Sequence, residues 1–359
     1  MKVLYDYQSF GNRFGGIARY HYELSKGLLK NNHEVEISTL FSENEYLLSD
    51  DTFKIINLIG HREFKGRHRI KKILNSINQK NSIRDIVKED YDVFHPTYYD
   101  PYFLKKLHKP FVLTVHDFVH EKFYTKSNDI INKKLLIERA DKIIAISENT
   151  KNDILTYYSV PPDKVSVIYH GYHKPIINDY LQNNYGNYIL FVGKRDGYKN
   201  FDRFLAAVSS ILHEDNSLKL ICSGTPFTTK EFKLIDFFKI SKRIIQISAN
   251  NQLLNTLYKN AIVFVFPSLY EGFGMPILEA FTNNCPICIS NTSCFPEIAK
   301  NAALYFDPYD VDSIYHAIKK VITNTEIRQN LIAEGKLRLL DFSWDKTINE
   351  TLNIYKELI

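Results

Sequence analysis

No apolar run in the sequence approaches the length of about 20 residues that a helix needs to cross a bilayer. Hydrophobic residues fill 44% of the 359 positions, which is an ordinary share for a soluble protein. Residues 1–6 contain neither the apolar core nor the small-residue cleavage site of a secretory signal. We therefore expect no transmembrane helix and no secretion, and we expect the protein to work in the cytoplasm.

Cysteine is scarce, and its four positions do not predict a metal or redox site. Cys285 and Cys288 have the CxxC spacing that such sites use. They lie in an apolar run with the character of a strand, where cysteine behaves as a small hydrophobe. The sequence offers no second cysteine pair or histidine cluster that would complete a zinc site. We expect neither a bound metal cofactor nor thiol chemistry.

Charge is nearly balanced, with a formal net charge of +5, and residues 62–72 form a dense basic run. Two interpretations of this run remain open, a solvated helix face or a surface attracted to anionic lipid headgroups. No nucleic-acid recognition motif accompanies it, so nucleic acid is not an expected partner. The basic residues of the run are Arg62, Lys65, Arg67, Arg69, Lys71 and Lys72.

A chain of 359 residues is too long for one ordinary core, and its length fits two domains. Strand-like and helix-like segments alternate, which indicates parallel sheets with crossover helices. A polar, Asn-rich stretch over 170–187 is the best candidate for a linker. Helices are predicted over 17–30, from about 201 with Asn200 as the N-cap, and over 310–323, 325–340 and 344–358. The predicted strands are 3–7, 34–40, 93–96, 111–115, 142–146, 165–169, 188–192, 218–222, 244–247, 261–266, 286–289 and 303–306.

The most informative segment is 267–280, PSLYEGFGMPILEA, which follows a predicted buried strand. Gly272 and Gly274 permit backbone conformations and close approaches that other residues forbid, and Pro276 suits the first turn of a helix. A helix therefore begins near Met275. Its first amide groups lack intrahelical acceptors and carry the positive end of the helix dipole, so they are suited to bind an anion or sugar hydroxyls.

Two glutamates bracket this turn, Glu271 before the glycines and Glu279 one turn inside the helix. An ionised carboxylate only accepts hydrogen bonds, so the paired hydroxyls of a ribose or a hexose are natural partners. Taken singly, Glu271 would be a solvated turn residue and Glu279 a complement to the helix dipole. The combination of both with the glycine-rich turn and the proline is far more specific, and it predicts a nucleotide-sugar site.

Three further pairs of residues lie where the strands of an open α/β sheet meet their ligands. Each pair also has an ordinary explanation as a turn, a hydrogen-bonded loop histidine or solvated cations. Two cations at such a place would neutralise a diphosphate leaving group. The pairs are Gly15 and Gly16 after the first strand, His116 and Asp117 after strand 111–115, and Arg195 and Lys199 after strand 188–192.

These residues resemble the signature of the family 4 retaining glycosyltransferases, which have the GT-B architecture of two facing Rossmann-like domains. The resemblance covers essentially the whole chain and favours the bacterial branch of mannosyltransferases that build surface polysaccharides. The segments that carry it are 13–20 (RFGGIARY), 95–100 (HPTYYD), 114–117 (TVHD), 191–200 (FVGKRDGYKN), 267–280, 295–297 (FPE) and 306–308 (FDP).

The resemblance implies an α/β fold with parallel sheets and an interdomain cleft. It implies an acceptor-side domain over 1–172, a nucleotide-sugar-binding domain over 173–340, and a terminal helix over 341–359 that crosses back to the first domain. Among relatives, glycine often stands where this chain has Asn284. Asparagine tolerates the left-handed conformation best among the other residues, so the turn is expected to survive.

The resemblance also implies roles for individual residues. Glu271 orients sugar hydroxyls, Glu279 holds the ribose, and His116 contacts the donor sugar. The aromatic residues at 98–103 fit acceptor stacking and core packing equally well. The implied catalytic residues are Glu271, Arg195, Lys199 and His116; the donor-binding residues are Glu279, Gly15, Gly16, Phe273, Gly274 and Met275; the acceptor-side residues are Arg19, Tyr98 and Asp117.

The implied reaction moves a hexose, with mannose from GDP-mannose favoured, to a lipid-linked glycan and retains the anomeric configuration without a metal. The Asp-x-Asp segments at 90–92 and 310–312 stand apart from the donor motif and are not expected to bind one. A UDP- or dTDP-sugar donor remains an alternative. So do a nucleotide-sugar epimerase, against which the paired glutamates argue, and a catalytically silent partner subunit, against which the intact charged residues argue.

Overall fold

The structure is a computed structural model that describes residues 1–60, 64–173, 185–195 and 197–359. The chain divides into two compact units, Met1–Gly171 with Trp344–Ile359 and Tyr172–Ser343. The sequence predicts these boundaries at 172/173 and 340/341. Most of the predicted linker, residues 174–184, lies outside the described residues.

The first unit consists of parallel strands joined by helices. Its strands are β1 (Lys2–Tyr5), β2 (Glu34–Ile37), β3 (Val93–His95), β4 (Val112–Val115), β5 (Lys142–Ala145) and β6 (Val165–Val167). Its helices before the second unit are α1 (Gly16–Lys30), α2 (Glu45–Leu48), α3 (Arg67–Lys88), α4 (Val119–Phe123), α5 (Asn128–Arg139) and α6 (Glu148–Tyr157). The strands form the orders β2-β1-β3 and β4-β5-β6, which a parallel bridge between Phe94 and Phe111 connects.

The second unit contains a parallel sheet of order β12-β11-β10-β7-β8-β9. Its strands are β7 (Tyr188–Val192), β8 (Lys219–Ser223), β9 (Ile244–Ile247), β10 (Val263–Phe266), β11 (Ile287–Ser290) and β12 (Leu304–Phe306). Its helices are α7 (Phe201–Glu214), α8 (Thr229–Phe237), α9 (Asn251–Asn260), α10 (Met275–Thr282), α11 (Phe295–Ala299), α12 (Val311–Thr323) and α13 (Thr325–Leu339). Among the described residues, no helix is both long and apolar enough to span a membrane.

The central strands are mainly apolar because helices cover both faces of a parallel sheet. Every residue of β4, β10 and β11 is buried. The helices bury one apolar stripe each, as α7 does with Phe204, Leu205, Val208 and Leu212 at helical spacing. Hydrophobic pattern alone therefore specifies which strands lie at the centre of the sheet.

The predicted α/β class with parallel sheets is confirmed, and the predicted strands are all present with ends that differ by at most three residues. Asn284 has φ +55°, so the predicted left-handed turn is confirmed. Asn200 is the N-cap residue of α7, as predicted, but with φ +58° its side chain makes no capping bond. Its Oδ1 accepts from Arg203 Nη1 at 3.1 Å, and its amide group donates to the Pro308 carbonyl at 2.7 Å.

The helix α14 (Trp344–Lys356) belongs to the first unit and completes its core. The hydroxyl of Tyr355 lies 2.6 Å from His95 Nδ1 and 3.0 Å from the hydroxyl of Tyr5, so a polar contact joins this helix to β1 and β3. Apolar residues of α14 pack with strands and with α1. They are Trp344, Ile348, Leu352, Ile354 and Tyr355, against Val3, Tyr5, Tyr20, Leu24, Leu28 and Val93.

Buried histidines form a second feature of this core. His21 and His95 are 5.3 Å apart between ring centroids, and His116 and His170 are stacked at 6.1 Å. The ring of Tyr20 contacts three of them edge-on. Burial lowers the pKa of His21 and His170 to about 3. Burial, and then the neighbouring imidazoles, hold the pKa of His95 and His116 well below the usual 6.5.

At Gly27, α1 packs closely against Ile348 of α14. A Cβ at this position would lie 2.0 Å from Cδ1 and 2.5 Å from Cγ1 of Ile348. We expect Gly27→Ala to lower the free energy of unfolding by about 1–3 kcal/mol, measured by urea denaturation. In the double variant with Ile348→Ala, the added methyl occupies space that the truncation vacates, so the two losses are less than additive. Fully additive losses of unfolding free energy in the double variant would contradict this packing.

The buried histidines predict a loss of stability in mild acid. Their folded-state pKa values are depressed, so the unfolded chain binds more protons as pH falls below about 6.5, down to about 3. Each histidine should remove about 1.4 kcal/mol of unfolding free energy between about pH 7.5 and about pH 5.5. His21→Asn should reduce the pH dependence by that amount. His68→Asn, an exposed histidine of α3, should leave it unchanged, and equal slopes for both variants would contradict the assignment.

Candidate active site

The strongest sequence motif forms the turn between β10 and α10. Gly274 has φ +87°, and a Cβ there would lie 3.1 Å from Ile277 Cδ1 and 3.2 Å from Phe295 Cε1. Another residue would be strained and crowded, so the turn requires glycine. The helix begins at Met275, as predicted. Its first N–H groups and the positive end of its dipole therefore lie at the carboxyl edge of the sheet.

An ion pair joins two of the predicted site residues at this edge. Lys199 Nζ lies 2.5 Å from Glu271 Oε1. Lys199 follows β7 and Glu271 follows β10, and these strands are neighbours in the sheet. The N–H of Leu269 donates to the carbonyl of Tyr198 at 2.8 Å, which ties the two loops together. The structure thus unites a cation and a carboxylate that are 72 residues apart in sequence.

The surroundings of this pair keep Lys199 charged and hold Glu271 in place. Burial by itself lowers the pKa of Lys199, but attraction to the Glu271 carboxylate outweighs burial and the net shift is upward. The hydroxyl of Ser293 donates to the Glu271 carbonyl at 2.6 Å and accepts from its N–H at 3.2 Å. Sequence analysis missed Ser293, because a serine with φ +58° has no sequence signature.

Glu279 is positioned one turn along α10, as predicted. Its Oε2 accepts a hydrogen bond from the hydroxyl of Tyr258 at 3.2 Å. Tyr258 is buried in α9, so the tyrosine orients the carboxylate from below the helix surface. Sequence analysis also missed this contact, since it joins two helices that lie on either side of β10 in the sequence and that no shared pattern relates.

Arg195 is buried against Glu231 in this structure. Its Nε donates to the Glu231 carboxylate, and its Nη2 donates to the carbonyls of Thr225 at 2.7 Å and Pro226 at 3.0 Å. The side chain is 3% exposed, and the guanidinium lies 4.7 Å from the ring centroid of Phe227. Glu231 also completes the capping box of α8. Arg195 therefore anchors the loop after β8 and the start of α8.

His116 and Asp117 follow β4 at the carboxyl edge of the sheet in the first unit. The main-chain N–H of His116 donates to the hydroxyl of Tyr99 at 3.0 Å. Its ring is neutral because burial lowers its pKa, and its buried Nε2 has no hydrogen-bond partner among the described residues. Asp117 Oδ1 accepts from the N–H of Val119 at 3.0 Å at the start of α4. A neutral imidazole nitrogen of this kind is suited to bond a hydroxyl group.

A buried ion pair holds this turn from behind. Lys133 Nζ lies 2.9 Å from Glu121 Oε2 and donates to the carbonyl of Asp117 at 2.8 Å. The hydroxyl of Tyr158 donates to the other carboxylate oxygen at 3.0 Å. Lys133 is fully buried, which the sequence did not indicate, because it lies among other charged residues of α5. Such a pair is stable only with both partners present, so it fixes the turn in one arrangement.

Gly15 and Gly16 lie at the start of α1 and are exposed. No described atom lies within 4 Å of where a Cβ would stand at either position, so packing within the chain does not require glycine there. Arg19 follows within the first turn, with its Nε 4.0 Å from Glu23 Oε1. These three residues share one helix end in the first unit.

The aromatic residues at 98–103 pack mainly inside the first unit. Tyr99 and Phe103 are buried, and the hydroxyl of Tyr102 donates to the buried Asp6 at 3.2 Å. Tyr98 retains a partly exposed ring, with its hydroxyl 3.5 Å from Asp129. Core packing therefore accounts for Tyr99 and Phe103, whereas Tyr98 remains accessible.

The segments set aside as metal or redox motifs have other contacts. Cys285 and Cys288 are buried free thiols at β11, and burial raises the pKa of both. Asp310 caps α12, and Asp90 pairs with Lys2 at 2.8 Å. Within the described ranges, no group of three or more His, Cys, Asp or Glu is arranged to hold a metal ion.

Solved structures share the fold of this chain. Sucrose-phosphate synthase from Thermosynechococcus elongatus has a TM-score of 0.80 at 17% identity, and the superposition covers 99% of this chain and 98% of the synthase chain. HepE from Anabaena, in complex with UDP and glucose, has a TM-score of 0.77 at 12% identity, with 99% of each chain covered. At these identities the likeness shows the fold alone, and it confirms the predicted GT-B class.

Sequence relatives extend over most of the chain. A glycosyltransferase of Methanocaldococcus jannaschii, itself uncharacterized, is 25% identical over 95% of this chain and 94% of its own. O-antigen chain mannosyltransferase B of Escherichia coli is 28% identical over 80% of this chain and 79% of its own. O-antigen chain mannosyltransferase RfbU of Salmonella typhimurium is 29% identical over 58% of this chain and 60% of its own.

Two protein families match the chain in succession. Residues 14–174 match Glycosyltransferase Family 4, and residues 174–338 match the glycosyl transferases of group 1. The two matches adjoin and together include the glycines at the start of α1, the His116 turn, the Lys199 loop and both glutamates of the α10 motif. The chain therefore belongs to the glycosyltransferases that combine a family 4 N-terminal domain with a group 1 C-terminal domain.

Proposed function

We propose that the protein transfers a hexose from a nucleoside diphosphate sugar to a lipid-linked glycan, and that the favoured donor is GDP-mannose. The observation that carries this proposal is the Lys199–Glu271 ion pair beside the N-terminus of α10, with Glu279 on the same helix. Relatives named as O-antigen mannosyltransferases support mannose as the sugar and a growing surface polysaccharide as the acceptor.

A diphosphate fits the positive groups of this site. The N-terminal amides of α10 offer donors and the positive end of a dipole, and Lys199 adds a full charge within the same edge of the sheet. These groups replace the charge that a divalent cation would supply, so we propose a metal-independent reaction. Arg195 contributes by holding the adjoining loop, since its Nε pairs with Glu231 and its Nη2 donates to two loop carbonyls.

The two carboxylates suit the two sugars of the donor. Glu279, oriented by Tyr258, is assigned to the ribose hydroxyls. Glu271, fixed through Ser293, is assigned to hydroxyls of the transferred hexose. When a diphosphate attracts Lys199, the carboxylate oxygen that faced the ammonium becomes an acceptor for these hydroxyls. Phe273, Gly274 and Met275 complete the donor side through their main chain.

The reaction we propose retains the configuration at the anomeric carbon. The bond from that carbon to the diphosphate oxygen breaks, and the acceptor oxygen bonds to the carbon on the same face. The acceptor proton passes to the departing phosphate oxygen, so no protein nucleophile is needed. Preorganised charges at the leaving group supply the main acceleration.

The first unit provides the remaining assignments. His116 offers a neutral, buried Nε2 to a hydroxyl of the transferred sugar. Gly15 and Gly16 leave open space at the start of α1 for a close approach of the donor. Arg19, Tyr98 and Asp117 are assigned to the acceptor. A lipid-linked acceptor would bring the protein to the cytoplasmic face of the plasma membrane.

The donor base is tested by thermal unfolding with GDP, UDP and dTDP in parallel. We expect GDP at about 100 times its Kd to stabilise the native state by about 2.7 kcal/mol. A shift specific to UDP would retain the transferase and replace the donor, an alternative that the UDP complex of HepE supports. No shift with any of the three would contradict a nucleotide-sugar site.

Glu279→Gln tests the ribose contact in the same assay. Glutamine keeps an acceptor for Tyr258 but loses the charge, so nucleotide affinity should fall by about 10- to 150-fold, as for a hydrogen bond to a charged group. The matched control is Glu326→Gln, an exposed acid in the first turn of α13. Equal nucleotide affinity in both variants would remove Glu279 from the site.

Lys199→Gln tests the leaving-group role. We expect kcat to fall by about 100- to 1000-fold with a smaller change in KM, because the charge acts mainly in the transition state. The double variant with Glu271→Gln removes the unpaired carboxylate, so its unfolding free energy, compared with that of Lys199→Gln, shows whether the single variant is destabilised by that charge. Lys320→Gln, an exposed cation of α12, serves as control. A wild-type kcat in the folded single variant would exclude the assignment.

A further inference from the structure

The helix α3 has an inverted distribution of polarity. The side of α3 that packs against the rest of the first unit carries polar residues, and these residues are hydrogen-bonded. Asn78 accepts from the N–H groups of Leu40 and Phe41 at 3.0 Å each and donates to the Phe41 carbonyl at 2.8 Å. Asp85 accepts from the hydroxyl of Ser38 at 2.8 Å. Polar contacts therefore anchor this helix, in contrast to the apolar stripe of an ordinary surface helix.

Another side of α3, next to the buried polar side, presents isoleucines to solvent. Ile70, Ile73 and Ile77 are 40%, 59% and 39% exposed. Their spacing of three and four residues places them in one row along the helix. Single exposed apolar residues are common, but a row on a helix that buries its polar side calls for a partner. The row begins in the first turn of the helix.

The charge around this row is of one sign. Residues 64–84 contain seven lysines and arginines and no aspartate or glutamate. Arg69, Lys72 and Lys80 are exposed. Arg69 and Lys80 lie beside the isoleucine row, and Lys72 lies farther around the same solvent-facing surface. No carboxylate pairs with these three among the described residues, so their charge is available to a partner. A surface of aliphatic side chains with unpaired cations complements an anionic bilayer better than it complements a neutral protein face.

We propose that the exposed face of α3, defined by Ile70, Ile73 and Ile77 with Arg69, Lys72 and Lys80, docks on the surface of an anionic lipid bilayer. The isoleucines enter the headgroup region, and the cations meet lipid phosphates. This inference deepens the lipid-linked acceptor of the proposed function and rests on it for its biological purpose.

The structure separates the basic residues of run 62–72 that face solvent from those that face the protein. Arg67 and Lys71 both pair with the buried Glu43, so they face the protein. Arg62 lies outside the described residues. Lys65 is exposed in the turn before α3, and Arg69 and Lys72 are exposed on the helix itself. The basic run therefore divides into an inward pair and an outward set, and the outward set adjoins the isoleucine row.

Vesicle co-sedimentation of the full chain, without nucleotide or acceptor, tests this proposal. We expect the protein to bind vesicles of phosphatidylcholine with phosphatidylglycerol and to bind vesicles of phosphatidylcholine alone much more weakly. Each basic residue near an anionic surface is worth about fivefold in partitioning, so Arg69→Gln/Lys72→Gln should weaken binding by about thirtyfold. The control Lys233→Gln/Lys320→Gln removes the same charge from exposed positions of α8 and α12 and should bind as the unchanged protein does.

The isoleucine row is tested by Ile70→Gln/Ile73→Gln/Ile77→Gln, which should weaken binding to the anionic vesicles by about tenfold or more. Ile131→Gln, a 70% exposed isoleucine of α5, is the matched control and should bind normally. Circular dichroism establishes that each variant is folded. Absence of vesicle binding by the unchanged protein would overturn the proposal, as would normal binding by the triple variant.

Two outcomes distinguish this proposal from others. A concentration-dependent dimer that does not bind vesicles and is lost in the triple variant would assign the face to a second copy of the chain and overturn the lipid assignment. The nucleotide-binding assay reports on the second unit independently of lipid. Normal nucleotide binding without vesicle binding would therefore overturn the docking surface and leave the proposed transfer intact, and the reverse result would overturn the nucleotide site alone.

Discussion

Parallel strands buried on both faces are the constraint on which both units depend. Such strands require crossover helices, so the loops after neighbouring strands collect at one edge of the sheet. This geometry brings Lys199, after β7, to within 2.5 Å of Glu271, after β10. It also places His116 at the end of β4 in the first unit. The chemistry of the chain is thus confined to loops whose positions the core determines.

Buried charges then fix the loops that the core leaves free. Arg195 with Glu231 holds the loop after β8, and Lys133 with Glu121 holds the turn after β4. Each of these pairs also hydrogen-bonds to main-chain carbonyls, so removal of one partner would leave a buried charge and an unsatisfied loop. Loops expose too much polar backbone to be held by apolar packing. This explains why ionic contacts recur at the carboxyl edge of the sheet in each unit.

The sequence predicted the parts of the fold that follow from local pattern. Apolar runs located the strands, and the glycine and proline around Met275 located the start of α10. The pairing of Arg195 with Glu231 could not be predicted, because 36 residues separate them and no periodicity relates them. The same holds for α3, whose basic residues are evident in sequence while the inward direction of Arg67 and Lys71 depends on the distant Glu43. The sequence pattern therefore does not predict long-range polar contacts.

The proposed chemistry takes place at the carboxyl edge of the sheet in the second unit, where the Lys199 ammonium, the first amides of α10 and the carboxylates of Glu271 and Glu279 lie on the segments after β7 and β10. The most direct test is a crystal structure of the protein with GDP. We expect the β-phosphate within hydrogen-bond distance of Lys199 Nζ and the Met275 N–H, with the ribose hydroxyls on Glu279. A nucleotide bound elsewhere, with the Lys199–Glu271 pair unchanged and no ribose hydroxyl on Glu279, would contradict this assignment.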